Sequence, residues 1–149
     1  MAVLLIKGSS QNLYGINQLA EHPRNGGRWT EARYMGFIKS ALRNASMRWP
    51  PKYEVKKKSW LSRGMYHCQG YKRRGHKVPV TLPPDPGKSR RVNNVLVDHI
   101  EPVVPTDGWT SWDDIILRMF CEEDGLQVLC RDCHNLKTAD EREERKNKK

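Results

Sequence analysis

Cys130-Arg131-Asp132-Cys133-His134 packs two thiols and an imidazole into five residues, and this spacing constrains the chain more than any other feature. A C-x2-C pair with an adjoining histidine offers soft and borderline donors to one metal ion. The rest of the chain has need of such a brace. Only 37% of the 149 residues are hydrophobic and 30% are charged, so the core must be small for the length. In such a chain metal binding supplies folding free energy directly. The other two cysteines are Cys68 and Cys121. The apolar run in Met1–Lys7 is too short for a secretory signal and has no charged residue before it. No stretch approaches the roughly 18 apolar residues of a membrane span. A soluble, intracellular protein is therefore expected, in a compartment where cysteine pairs bind metal more often than they form disulfides.

The net charge of +10 and pI near 9.7 favour a polyanionic partner. From Lys39 to Arg91 there are 15 basic residues against two acids, Glu54 and Asp85. From Asp98 to Glu144 the balance inverts, with 13 acids against four basic residues. A uniformly solvated surface explains scattered lysines but not this partition. A basic binding region followed by an acidic, metal-attracting half explains both.

The chain opens with a short apolar strand candidate and a polar, Gly- and Asn-rich arm through Gly27. Thr30 reads as an N-cap, and Met35, Ile38, Leu42, Ala45 and Trp49 recur at spacings of three and four, which predicts a core-packing amphipathic helix over about 30–49, stopped by Pro50-Pro51. Lys56, Lys57, Lys58, Lys72, Arg73 and Arg74 then alternate with Tyr53, Trp60, Tyr66 and Tyr71, a pattern suited to phosphates and stacked bases. Pro79 to Arg91 reads as a loop. A strand is expected within Arg91–Ile100, a helix after the N-cap Ser111, a second strand over Leu126–Leu129, and a charged helix from Arg131 that frays after Arg145.

The first of these strands runs into Asp98-His99. Hydrolysis of a phosphodiester needs an activated water, a Lewis acid and a grip on the backbone. A histidine titrates near neutrality and so can take a proton from water at pH 7. Asp98 is a hard oxygen ligand, and with His134 it suits Mg²⁺, Mn²⁺ or a transition-metal ion. An Asp-His dipeptide alone is most often a surface turn, and a lone C-x2-C-H is commonly half of a zinc finger. Here the two segments occur in order, joined by the Leu-Gln-Val-Leu strand and followed by Lys137-Thr138.

In that order the segments resemble the HNH endonucleases, over roughly Tyr66 to Thr138. The Met47-Arg48-Trp49-Pro50-Pro51 run and its basic sequel resemble the upstream part of small free-standing phage members. The resemblance implies an α+β fold in which residues 66–149 form a ββα-metal core and residues 1–65 a basic helical arm. It implies His99 as general base, Asp98 and His134 as ligands of the catalytic divalent ion, and Lys137 as a phosphate contact, beside which Arg131 is expected to help orient phosphate. It implies cleavage of double-stranded DNA, in a phage homing or nicking role within the host cytoplasm. Family members often add a structural zinc held by two C-x2-C pairs. Cys130 and Cys133 match one pair and Cys68 half of the other, whose missing cysteine falls at Tyr71. His76 ranks first as the fourth ligand and Cys121 second, His67 being sterically awkward beside Cys68; three-ligand and zinc-free versions stay open. The family's middle asparagine falls at Gly125, where Asp124, Asn94 or main-chain bonds would have to hold the base's loop. A rival reading keeps the fold without cutting: a zinc-stabilised DNA-binding or packaging accessory protein.

Overall fold

The computed structural model describes residues 22–148, so the strand candidate within residues 1–7 lies outside them. The chain divides into two compact units, Met1–Leu42 and Arg43–Lys149. The unit that holds every candidate site residue thus begins well before residue 66.

In the described part of the first unit the cap forms as expected, with the Arg33 amide donating to Thr30 Oγ1 at 3.2 Å. Trp29 and Phe37 pack at 5.5 Å, and Arg33 lies over the Trp29 ring. Helix α1 runs Glu31–Ser46, not to residue 49, and Ser46 is its sole buried residue. Met35, Ile38 and Leu42 are half-buried and Ala45 is exposed, so the stripe is a partly covered face and not a core face.

Pro50-Pro51 separates two helices. The proline ring suits a first helical turn, where no amide partner is needed, and α2 (Pro50–Lys58) starts on these residues. The basic run Lys52–Lys58 is therefore helical. Next comes an antiparallel sheet of β1 (Trp60–Ser62), β2 (Met65–Cys68) and β3 (His76–Pro79). Its β1–β2 pairing crosses the expected boundary at 65/66. Within the expected loop, β4 (Thr81–Leu82) pairs with β5 (Val92–Asn93).

The expected strand is broken at Asn94, a buried residue whose Nδ2 donates to Pro79 O at 2.9 Å and whose Oδ1 accepts from the Arg131 amide at 3.1 Å. Beyond it β6 (Val95–His99) pairs antiparallel with β7 (Leu126–Cys130), and α4 (Arg131–Asn147) follows without a loop. The long β6–β7 connection carries α3 (Trp112–Met119), capped by Ser111 as predicted, and buries Ile115 and Met119. Helix α4 continues to Asn147 where fraying was expected after Arg145, and Arg145 donates to Val104 O at 3.0 Å and Lys148 to Thr106 Oγ1 at 2.8 Å, tying the last described turn to the connection.

The fold is thus a mixed α/β structure, with four α-helices and three small antiparallel sheets among the described residues. None of these helices is long and apolar enough to cross a membrane. Its main core comprises Cys68, Val78, Val95, Val128, Leu129, Cys130 and Cys133. Three of these seven are cysteines, so the hydrophobic core and the sulfur cluster are one object.

Candidate functional site

The β2–β3 hairpin sets Cys68 opposite His76. The end of β7 and the first turn of α4 bring Cys130 and Cys133 to the same point. One ligand atom from each of the four residues lies within 4.8 Å of the others. A tetrahedral zinc site with bonds of about 2.3 Å separates sulfurs by roughly 3.8 Å, so a small inward shift closes this set on one ion.

The surroundings suit thiolates. Cys68 Sγ accepts the amides of Cys130 at 3.1 Å and Gly70 at 3.4 Å. Gly70 has φ +83°, and a Cβ there would sit 2.3 Å from Arg73 O, so only glycine makes this turn. Burial pushes the metal-free Cys68 thiol up to about 11; an ion would offset that penalty. Arg73 donates to Cys133 Sγ at 3.0 Å and to Cys130 Sγ at 3.6 Å. His76 Nδ1 lies 3.1 Å from Arg74 O, an acceptor only, so Nδ1 carries the proton. The Nε2 lone pair is then left for a metal, 3.6 Å from Cys130 Sγ. Three cysteines and one histidine could therefore hold a metal such as zinc. His67 lies outside this set, as does Cys121, whose carbonyl accepts from Trp49 Nε1 at 2.7 Å.

The second constellation lies at the other end of the β6–β7 ladder. Asp98 stands opposite Gln127, which donates to its Oδ2 at 3.3 Å, and His99 stands opposite Leu126. His134 Nε2 lies 3.8 Å from Asp98 Oδ1. That is too long for a hydrogen bond; neighbouring donors about 2.1 Å from one octahedral ion stand roughly 3.0 Å apart, so an inward shift would close the pair on an ion. A carboxylate and an imidazole form a mixed donor pair, the first suited to Mg²⁺ or Mn²⁺ and the second to transition-metal ions.

His99 Nε2 is 3.0 Å from Met119 O. A carbonyl only accepts, so Nε2 carries the proton and Nδ1 is the basic nitrogen. Burial lowers the His99 pKa below its ordinary 6.5; the Met119 carbonyl opposes this and the nearby Lys52 charge reinforces it. The neutral ring is therefore the resting state at pH 7. The His99 loop is held where the asparagine was missing: the Ile100 amide donates to Gly125 O at 2.9 Å. Of the expected alternatives, Asn94 instead serves the start of α4.

The basic candidates divide into two groups. Lys57 and Arg74 are exposed on the surface, while Lys56 lies 5.8 Å over the Tyr66 ring and shares a groove with Lys52, Tyr53 and Asn93. Others are already paired: Lys58 with Glu123, Lys72 with Asp140, Arg131 in a fork to Asp85, and Arg73 with the cysteines. Lys137 is buried. Sequence reasoning missed Gln127 and Glu141, and it counted Lys52 among the basic nucleic-acid contacts without placing it beside Asp98 and His99. Glu141 was within reach, being four residues after Lys137 on a helix; Lys52 and Gln127 depend on packing and register.

Comparison with protein families, characterised proteins and solved structures gave no match, so the functional reading rests on the chain's own motifs and geometry.

Proposed function

We propose that the chain is a metal-dependent DNA endonuclease of the HNH type, with β6, β7 and α4 as its ββα-metal unit and a zinc-braced Cys68, His76, Cys130, Cys133 centre behind it. One observation carries this reading. Asp98 and His134 converge to 3.8 Å beside an imidazole whose proton is tied to a main-chain carbonyl. That is a two-donor cation site next to a base of fixed tautomer.

In this mechanism His99 Nδ1 takes a proton from a water, whose oxygen forms a bond to phosphorus as the bond to the leaving alkoxide breaks. Such base catalysis is worth about 10² to 10⁴ in rate. Asp98 Oδ1 and His134 Nε2 would hold the divalent ion, which when bound supplies Lewis-acid stabilisation of the charge on the phosphate and the leaving oxygen. Lys52, half-buried and electrostatically coupled to Asp98 and His99, raises the local potential for the substrate anion. The α2 groove and the surface cations Lys57 and Arg74 supply sequence-independent backbone attraction.

The test is supercoiled plasmid incubated in Mg²⁺, in Mn²⁺ and in EDTA, with His99→Ala alongside. Metal-dependent relaxation or linearisation that the variant lacks supports the nuclease. A gel shift without cutting in either metal, on a library of random target sites, supports the DNA-binding or packaging reading instead.

A further inference from the structure

His134, Lys137 and Glu141 lie on one face of α4, at spacings of three and four. Lys137 is only 8% exposed, and a lysine is rarely so buried without partners. Its ammonium has three protons and meets three acceptors: Asp98 Oδ2 at 3.0 Å, His99 O at 2.9 Å and Glu141 Oε1 at 2.5 Å. No proton is left for a phosphate unless one of these contacts breaks.

We propose that Lys137 is a positioning residue for the Asp98–His134 site and not a ligand of the DNA backbone. It pins one oxygen of Asp98 and so turns the other, Oδ1, toward His134. Through the His99 carbonyl it also fixes the main chain that carries the base. Glu141 holds the ammonium in place from the far side. Asp98, Lys137 and Glu141 together carry a net single negative charge, which still favours a cation at Oδ1 while sparing the site two unpaired, half-buried carboxylates. The proposal rests on the nuclease reading for its chemistry, but ion binding and DNA binding test it separately from cutting.

The experiment uses the full chain, zinc-loaded, as wild type, Lys137→Met and Glu141→Gln, with Asp98→Ala as the blank. Mn²⁺ affinity is measured by electron paramagnetic resonance without DNA. Duplex binding is measured in EDTA across a salt series, and cleavage over a Mn²⁺ series. Expected for Lys137→Met is a loss of about 10- to 100-fold in Mn²⁺ affinity, with duplex affinity and salt slope unchanged. Glu141→Gln shifts Mn²⁺ affinity the same way by a smaller factor, and it decides the matter if Lys137→Met does not fold. Unchanged Mn²⁺ affinity, or a salt slope shallower by about 0.9, the signature of one lost phosphate contact, overturns the proposal. So does a wild type with no Mn²⁺ site that Asp98→Ala removes. A wild type that binds Mn²⁺ as expected but cuts nothing refutes the nuclease and leaves the Lys137 comparison decisive.

Discussion

The amide of Ile100 donates to the carbonyl of Gly125 at 2.9 Å, one residue beyond the expected base. Of the expected ways to fasten this loop, Asp124, Asn94 or main-chain bonds, the structure has a main-chain bond. The glycine is enforced sterically: a Cβ on Gly125 would lie 2.8 Å from Cys121 Sγ and 3.0 Å from its Cβ.

Gly125→Ala is therefore expected to destabilise the fold by about 1–3 kcal/mol through overpacking. Cys121→Ala removes the nearer of the two contacts, so a double-mutant cycle should show a coupling of at least about 0.5 kcal/mol. Chemical denaturation of the four proteins measures it. Strict additivity would mean that the loop relaxes freely and that the glycine has some other cause.

Removing metal should unfold much of the second unit, because the cysteines are also its core. Purified protein should contain one zinc per chain. Cys68→Ser, Cys133→Ser and His76→Ala should each lose it, at a cost above about 4 kcal/mol, whereas His67→Ala and Cys121→Ala should keep it. Elemental analysis with thermal melts in chelator decides between the four-ligand centre and a zinc-free core.

The pH dependence follows from the depressed His99 pKa. In the proposed mechanism cutting requires the neutral ring, so the acid limb of the rate profile should fall below the ordinary histidine value of 6.5, not above it. Stability has the same sign. Below 6.5 the unfolded chain takes up the proton first, so the contribution of His99 is whole above 6.5 and is lost as pH falls through the folded value. An acid limb above 6.5 in wild type would point to a different titrating group.

The surface cations should differ in their effect on DNA binding. Lys57→Ala and Arg74→Ala should each reduce the salt slope of duplex affinity by about 0.9. Arg131→Ala and Lys58→Ala should change it less, since Asp85 and Glu123 already neutralise those groups. Equal effects from all four would show that the paired cations are released on binding.

What the sequence made legible was chiefly local. The Ser111 cap, the strand ending at His99 and the helix from Arg131 are written in short-range patterns, and the structure has them. His76 was favoured as the fourth donor, but its place opposite Cys68 depends on hairpin register, which the turn sets and the composition does not. Pro50-Pro51 was read as a stop when it also opens α2, since the same ring that breaks a helix interior fits a first turn. The burial of Lys137, expected as a phosphate contact, was least visible. A lysine in a sequence looks like a solvent-facing charge until burial and three acceptors are known.

Cys133 and His134 are consecutive residues on the first turn of α4, one facing the sulfur cluster and the other the carboxylate of Asp98. A single inserted residue between them would rotate one donor by about 100° relative to the other. The register between the two centres is therefore counted in whole peptide units and cannot be tuned continuously. Surface loops can lengthen as the sequence diverges, but this junction can be neither lengthened nor shortened. An insertion at this junction, unlike one in a surface loop, would put the sulfur cluster and the Asp98–His134 pair out of register with each other.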